Sequence, residues 1–325
     1  MLSYKRFSKA ECNSGCENTA DDARKRQYNL NESERNAFRF RKGSKIMKKL
    51  ISLILAGLFV VMVLASCAGS NTIKYTAAED QLTALRDVKA NNSDIAVMDS
   101  VMANFYCEGS TFGDLMVLGG DDFKFDSEYY AIGFRKGSNA VDYINYALYV
   151  LSENGKYAEI GEKYGLTDTL CEIESCSMPE DQADSDYAYI KGKGEIVIGY
   201  TVFEPIAYKD GDDLVGFDID LAKEVADILD IEVKFEVINW NSKEQELNAK
   251  NIDCIWNGFT YTEERAENIS FSKFYMENRQ VMVIREADAD KYATYASMKN
   301  AAFAAEGGSA GEKLVKGTIQ KNIFG

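Results

Sequence analysis

The sequence predicts an α/β fold, and three observations carry that prediction. Short apolar runs rich in β-branched residues, at 93–99, 193–199 and 232–238, read as strands. Segments with an apolar stripe at helical spacing lie between such runs, among them Gln81–Lys89 and Ala140–Glu153. The third is the stretch 252–275, around which the chain is organised. It passes from an apolar strand ending at Trp256, through a turn at Asn257-Gly258, into a helix opening at Thr262. The Thr262 hydroxyl suits an N-cap, and Glu263 and Glu264 suit the positive end of the helix dipole.

The whole composition narrows the function classes. With 325 residues there is enough chain for one large or two modest domains. Acids outnumber bases 52 to 37, which argues against a nucleic-acid partner. There is no histidine, so histidine-based acid–base chemistry and histidine-ligated metal sites are excluded. No Cys-x-x-Cys occurs and nothing points to zinc; no cofactor is expected.

Taken in order, residues 1–46 are charged and uneven, with no sustained apolar period. They read as a disordered leader or a mis-assigned start, with Met47 the expected true start. Residues 47–66 read as a signal peptide: Lys48 and Lys49 precede an apolar run over 50–64. That run falls short of the roughly 20 residues that span a bilayer comfortably. The close Leu64-Ala65-Ser66-Cys67 resembles a bacterial lipobox, which implies that Cys67 is lipidated and becomes the first mature residue. Of the later cysteines, Cys171 and Cys176 lie close enough in a loop-like stretch to pair, but spacing alone does not decide it.

Beyond Cys67, Gln81–Lys89 carries Leu82, Leu85 and Val88 on one helical face, and the strand 93–99 ends in Asp99. Asp99 reads either as a ligand-facing carboxylate or as the N-cap of the helix that follows. The run 128–135 alternates as a strand, with Tyr130, Ile132 and Phe134 on one face. Ala140–Glu153 and Lys156–Lys163 are amphipathic helices. The acidic segment 172–186, with Met178-Pro179 at its middle, reads as a mobile linker. Then come the strand 193–199, Phe203 and Pro205, and a helix from about 217 with Asp218 as its expected N-cap. Strand 232–238, Trp240, helix 244–249 and strand 279–285 complete the pass.

In open α/β sheets ligands bind beyond the carboxyl ends of strands, and Gly258, Thr260 and Arg265 converge there. A backbone carbonyl, a hydroxyl and a guanidinium fork suit a ligand bearing a carboxylate and an ammonium. Alone, Arg265 also reads as a solvated helix residue, and Phe203 as core. The glycine-rich turn 306–312 presents backbone N–H groups to an anion. A phosphate loop is disfavoured there because the Gly-Lys-Ser/Thr ending is absent.

The stretch 258–265, Gly-Phe-Thr-Tyr-Thr-Glu-Glu-Arg, followed by Phe271-Ser272-Lys273-Phe274-Tyr275, resembles the signature of extracellular amino-acid-binding proteins of ABC importers. The resemblance covers nearly the whole mature chain but in rotated order: 189–325 resemble the family's first part and 72–170 the remainder. It implies a two-lobed α/β type II periplasmic-binding-protein-like fold, circularly permuted. Lobe one would be 131–170 with 189–283, lobe two 71–130 with 285–325, and 171–188 the linker between old termini. By the same resemblance Arg265, Ser309 and Ala310 take an α-carboxylate, and Asp99, Thr260 and the Gly258 carbonyl take an α-ammonium. Phe203, Trp240 and Asn257 meet the side chain. The implied protein is a monomeric, membrane-anchored, extracytoplasmic lipoprotein that hands an amino acid to an ABC-transporter permease and catalyses nothing. A cyclohexadienyl-dehydratase-like enzyme on the same fold, and a truncated or rearranged non-functional product, are the alternatives.

Overall fold

The computed structural model describes residues 72–109 and 111–325. The expected leader 1–46, the expected signal segment 47–66 and Cys67, the expected lipidation residue, lie outside the described residues.

Thirteen strands are described: β1 Lys74–Ala78, β2 Ile95–Asp99, β3 Leu115–Val117, β4 Ser127–Tyr130, β5 Gly133–Arg135, β6 Glu195–Tyr200, β7 Tyr208–Asp210, β8 Asp213–Val215, β9 Glu232–Val237, β10 Cys254–Ile255, β11 Ile269–Phe271, β12 Met276–Arg285 and β13 Ala302–Glu306. Eleven form two main sheets. One has the order β1-β13-β2-β12-β3 with β4 also paired to β12; the other has the order β11-β5-β10-β6-β9. β7 and β8 make a separate hairpin.

Each sheet is buried on both faces, which is why its central strands read as near-continuous apolar runs. In the first, Ile95 and Val97 pack with Met282, Ile284, Phe303 and Ala305 on one side. Ala96 and Met98 face the opposite way, onto Leu82, Leu85 and Val88 of the helix Gln81–Lys89. In the second, Ile196 and Ile198 of β6 join the cluster of Ile144, Leu148 and Leu151 from the helix Ala140–Glu153. Leu221, Val225 and Leu229 of the helix Phe217–Leu229 belong to the same cluster.

The first sheet is assembled from both ends of the described chain. β1 pairs in parallel with β13 from Lys74↔Ala302 to Ala78↔Glu306. Ile73 and Tyr75 pack into one cluster with Val315, Ile319 and Ile323.

Four local expectations need correcting. The run 128–135 is not one strand: β4 pairs with β12 in the first sheet and β5 with β10 and β11 in the second. Between them Ala131 N–H donates to Phe259 O, so the chain changes sheets there. The boundary of lobe one at 283 also moves. β12 pairs with β2, β3 and β4 along its length, so 276–283 belong to the first sheet. Alternation along a strand tells its faces but not its partners, so pairing had to decide. Third, the linker reading overran a helix, Asp186–Lys193, capped by the Ser185 hydroxyl. It is held by packing: Tyr187 stacks on Tyr143 with centroids 3.5 Å apart, and Ile190 is fully buried. Nor is the stretch before it detached, for Ile173 is buried and Cys171 N–H donates to Tyr275 O. Finally, Gly216 and not Asp218 caps the helix Phe217–Leu229. Cys107, Cys171, Cys176 and Cys254 carry free thiols.

Candidate functional site

The carboxyl ends of strands from both sheets meet at one small, narrow cavity. Arg265, Asp99, Thr260, Gly258, Ser309, Ala310, Phe203, Trp240 and Asn257 all line it. Gln81, Thr201, Val202 and Glu306 complete the wall.

Arg265 owes its position to a short helix, Glu263–Ala266, whose N-cap Thr262 accepts from the Arg265 backbone N–H at 3.1 Å. Its guanidinium Nη1 donates to Thr260 O at 2.6 Å and Nη2 to Gly308 O at 3.2 Å. The group lies over the Phe259 ring, 4.7 Å from its centroid. Burial pulls its pKa below the ordinary value, with Glu128, Glu244 and Asp99 acting in the opposite direction. A guanidinium carries five N–H donors, so two carbonyl contacts leave donors for a ligand.

Gly258 turns the chain at the head of this segment, with φ of 57°. A Cβ there would stand 2.5 Å from the Phe203 ring, so the turn needs glycine for both backbone and space. Its N–H donates to Asp218 Oδ2 at 2.8 Å, and Tyr275 Oη donates to the same oxygen at 2.9 Å. Asp218 is fully buried, and burial pushes its carboxyl up to about 7 against those two donors. The acid read as a cap therefore holds the binding turn from behind.

Asp99 ends β2 and opens the helix Ser100–Cys107, but its side chain makes no capping hydrogen bond. Its carboxylate instead accepts from Gln81 Nε2, Asn278 Nδ2 and, at 2.6 Å, Gln280 Nε2. Burial raises its pKa, and these amide donors and Arg265 oppose the rise. Asn278 and Gln280 alternate on β12, which brings both side chains to one face. Gln280 Nε2 also donates to Glu128 Oε2 at 2.9 Å, and burial followed by the Asp99 charge pushes Glu128 up to about 7.

The remaining walls are polar at the mouth and aromatic behind. Asn257 Nδ2 donates to Thr201 Oγ1 at 2.9 Å. Trp240 is buried edge-to-face on Phe259, 5.5 Å between centroids. Phe203 is both core and wall, packed edge-on against Tyr130. On the far side, Ser309 caps the helix Ala310–Leu314 by accepting from Glu312 N–H. Gly308 O accepts from both Arg265 and the buried Lys243 Nζ, so the first sheet's glycine-rich turn is pinned to the second sheet's cations.

Residues 196–320 match the family of bacterial extracellular solute-binding proteins, family 3. This match takes in 125 of the 325 residues, and the likeness to the family rests on that part of the chain. Among relatives, the arginine-binding extracellular protein ArtP of Bacillus subtilis is 32% identical over 29% of this chain and 38% of its own length. The ABC transporter arginine-binding protein 1 of Escherichia coli is 31% identical over 36% of this chain and 46% of its own. A solved substrate-binding protein from Streptococcus pneumoniae with bound histidine is 36% identical over 28% of this chain and 38% of that one, with a TM-score of 0.27. The chain thus spans less than half the length of these relatives.

The matched segment contains every expected ligand-binding residue except Asp99, which reaches the cavity from outside it. Sequence reasoning missed Gln81, Thr201 and Glu306 as wall residues. A signal existed for the amide clamp on Asp99: Asn278 and Gln280 are polar positions two apart on the strand that runs on into Val281–Ile284. Nothing local marked Gln81, which meets Asp99 only through the packing of its helix on β2.

Proposed function

We propose that the chain is a circularly permuted amino-acid-binding protein that captures its ligand between two lobes and delivers it to an ABC-transporter permease. One observation carries the reading: Arg265 and Asp99, opposite charges far apart in sequence, line the same enclosed cavity. An α-amino acid presents a carboxylate and an ammonium at fixed separation, and a dry cavity strengthens both contacts. Arg265, with the N–H groups at Ser309-Ala310, takes the carboxylate. Asp99, Thr260 and the Gly258 carbonyl take the ammonium, and Phe203, Trp240 and Asn257 face the side chain.

The permuted order draws support from β1 lying parallel to β13 and from the shared packing of Ile73, Tyr75 and Ile323. Hinge closure over the ligand would use the two crossings between sheets. Cys67 would carry a lipid anchor on the outer face of the membrane, and the protein would act as a monomer. The surroundings of Asp99 support a binding rather than a catalytic role. Its carboxylate is held by three amide donors, a setting for a fixed counter-charge and not for a shuttling proton. A thermal-shift screen of the twenty amino acids tests the proposal. At least one should raise the melting temperature progressively above its dissociation constant. A flat response to all twenty would refute it.

A further inference from the structure

Glu306 ends β13 at the floor of the cavity and is only 4% exposed. Its Oε1 has no hydrogen-bond partner among the described residues. A buried carboxylate without partners is costly, and in a cavity wall it marks a place where a ligand is to supply them. Asp99 exerts the largest like-charge influence on it. Lys243 is the nearest cation in effect, yet its Nζ is committed to Trp240 O and Gly308 O, both at 3.0 Å.

The charges around the cavity do not balance. Among the residues that line it, Asp99 and Glu306 are the carboxylates and Arg265 is the cation. A zwitterion adds one charge of each sign and leaves that excess of one carboxylate as it was. A ligand with one further positive charge removes it.

We propose that Glu306 is a second anionic contact in the site, and that it selects amino acids whose side chains carry a positive charge. The inference rests on the amino-acid-binding reading and adds the side-chain class. Burial and then the Asp99 charge hold the Glu306 pKa well above the ordinary carboxylate range, with Lys243 and Arg265 only opposing the rise, and a further cation beside it would lower it. The ligand's cation would therefore bind to an ionised Glu306 and stabilise that state.

Calorimetry with two matched pairs tests this: L-arginine against L-citrulline, and L-lysine against L-norleucine. Each pair differs in side-chain charge while closely keeping its length. The parent should bind the cationic member about tenfold or more tightly, since a buried counter-charge left without its partner is costly. Glu306→Gln should shrink that preference to near unity, and Glu306→Asp should retain most of it. Equal affinity within both pairs in the parent overturns the proposal without needing a folded variant. So does a full preference surviving in Glu306→Gln. Neutral amino acids bound to the exclusion of cationic ones would sink the side-chain assignment and leave amino-acid binding standing. Binding of no amino acid at all would overturn both readings.

Discussion

Replacing Arg265 with alanine removes the one guanidinium that lines the cavity while leaving its scaffold in place. The side chain touches Thr260 O, Gly308 O and the Phe259 ring, none of which is charged. The fold therefore loses two hydrogen bonds and one cation–π contact, about 2–4 kcal/mol at typical values. The ligand loses much more. Its carboxylate would be enclosed without the fork that pairs it, and breaking a buried ion pair by removing one partner costs about 3–5 kcal/mol. At about 1.4 kcal/mol per decade, affinity should fall about 10²- to 10⁴-fold. Removing the cation also withdraws the attraction that opposes the raised pKa of Asp99, Glu128 and Glu306. Those groups should take up protons more readily, which weakens hold on the ammonium as well. Titration calorimetry on the best ligand from the screen, with circular dichroism melts alongside, measures both terms. A folded Arg265→Ala protein whose affinity lies within about twofold of the parent, far less than a lost ion pair implies, would refute the reasoning.

Two further outcomes follow from the same geometry. Asp99→Asn should weaken α-amino acids more than their α-hydroxy analogues, because an enclosed ammonium needs a counter-charge and a hydroxyl needs only an acceptor. Equal losses in competition binding would reduce Asp99 to a structural residue. Asp218→Asn should change how stability depends on pH. Burial raises the folded pKa above the unfolded one, so the folded state binds more protons between 3.8 and about 7. The contribution is fully present below 3.8 and lost as pH rises to about 7. At about 1.4 kcal/mol per pH unit this amounts to an order-of-magnitude ceiling of about 4 kcal/mol. The melting temperature of Asp218→Asn minus that of the parent should therefore climb from acid to neutral pH; a constant difference would rule the mechanism out.

What the sequence determined by itself was mostly local. Thr262 before two glutamates announces a helix start, and the helix is there, capped by that hydroxyl. Ala140–Glu153 and Lys156–Lys163 were legible because an apolar stripe at helical spacing records a buried face whatever it is buried against. The glycine turn at 258 and the arginine after it were readable because backbone sign and charge type are properties of single residues. Tertiary structure decided everything that depends on a partner. Asp218 looks like a cap from its place near a helix start, yet packing against Gly258 and Tyr275 makes it the support of the binding turn. Most of β12 reads as part of lobe one until its pairing with β2 places it in the first sheet and sets Asn278 and Gln280 on Asp99. The segment before β6 looks like linker because its composition is acidic, and it becomes helix only where Tyr187 finds Tyr143. Glu306 reads as part of a glycine-rich turn, and only the meeting of β13, β2 and the second sheet's cations makes it a buried charge without a partner. Periodicity reports which face of an element is buried; it does not carry the identity of what lies across from it, and in this site that identity sets the chemistry.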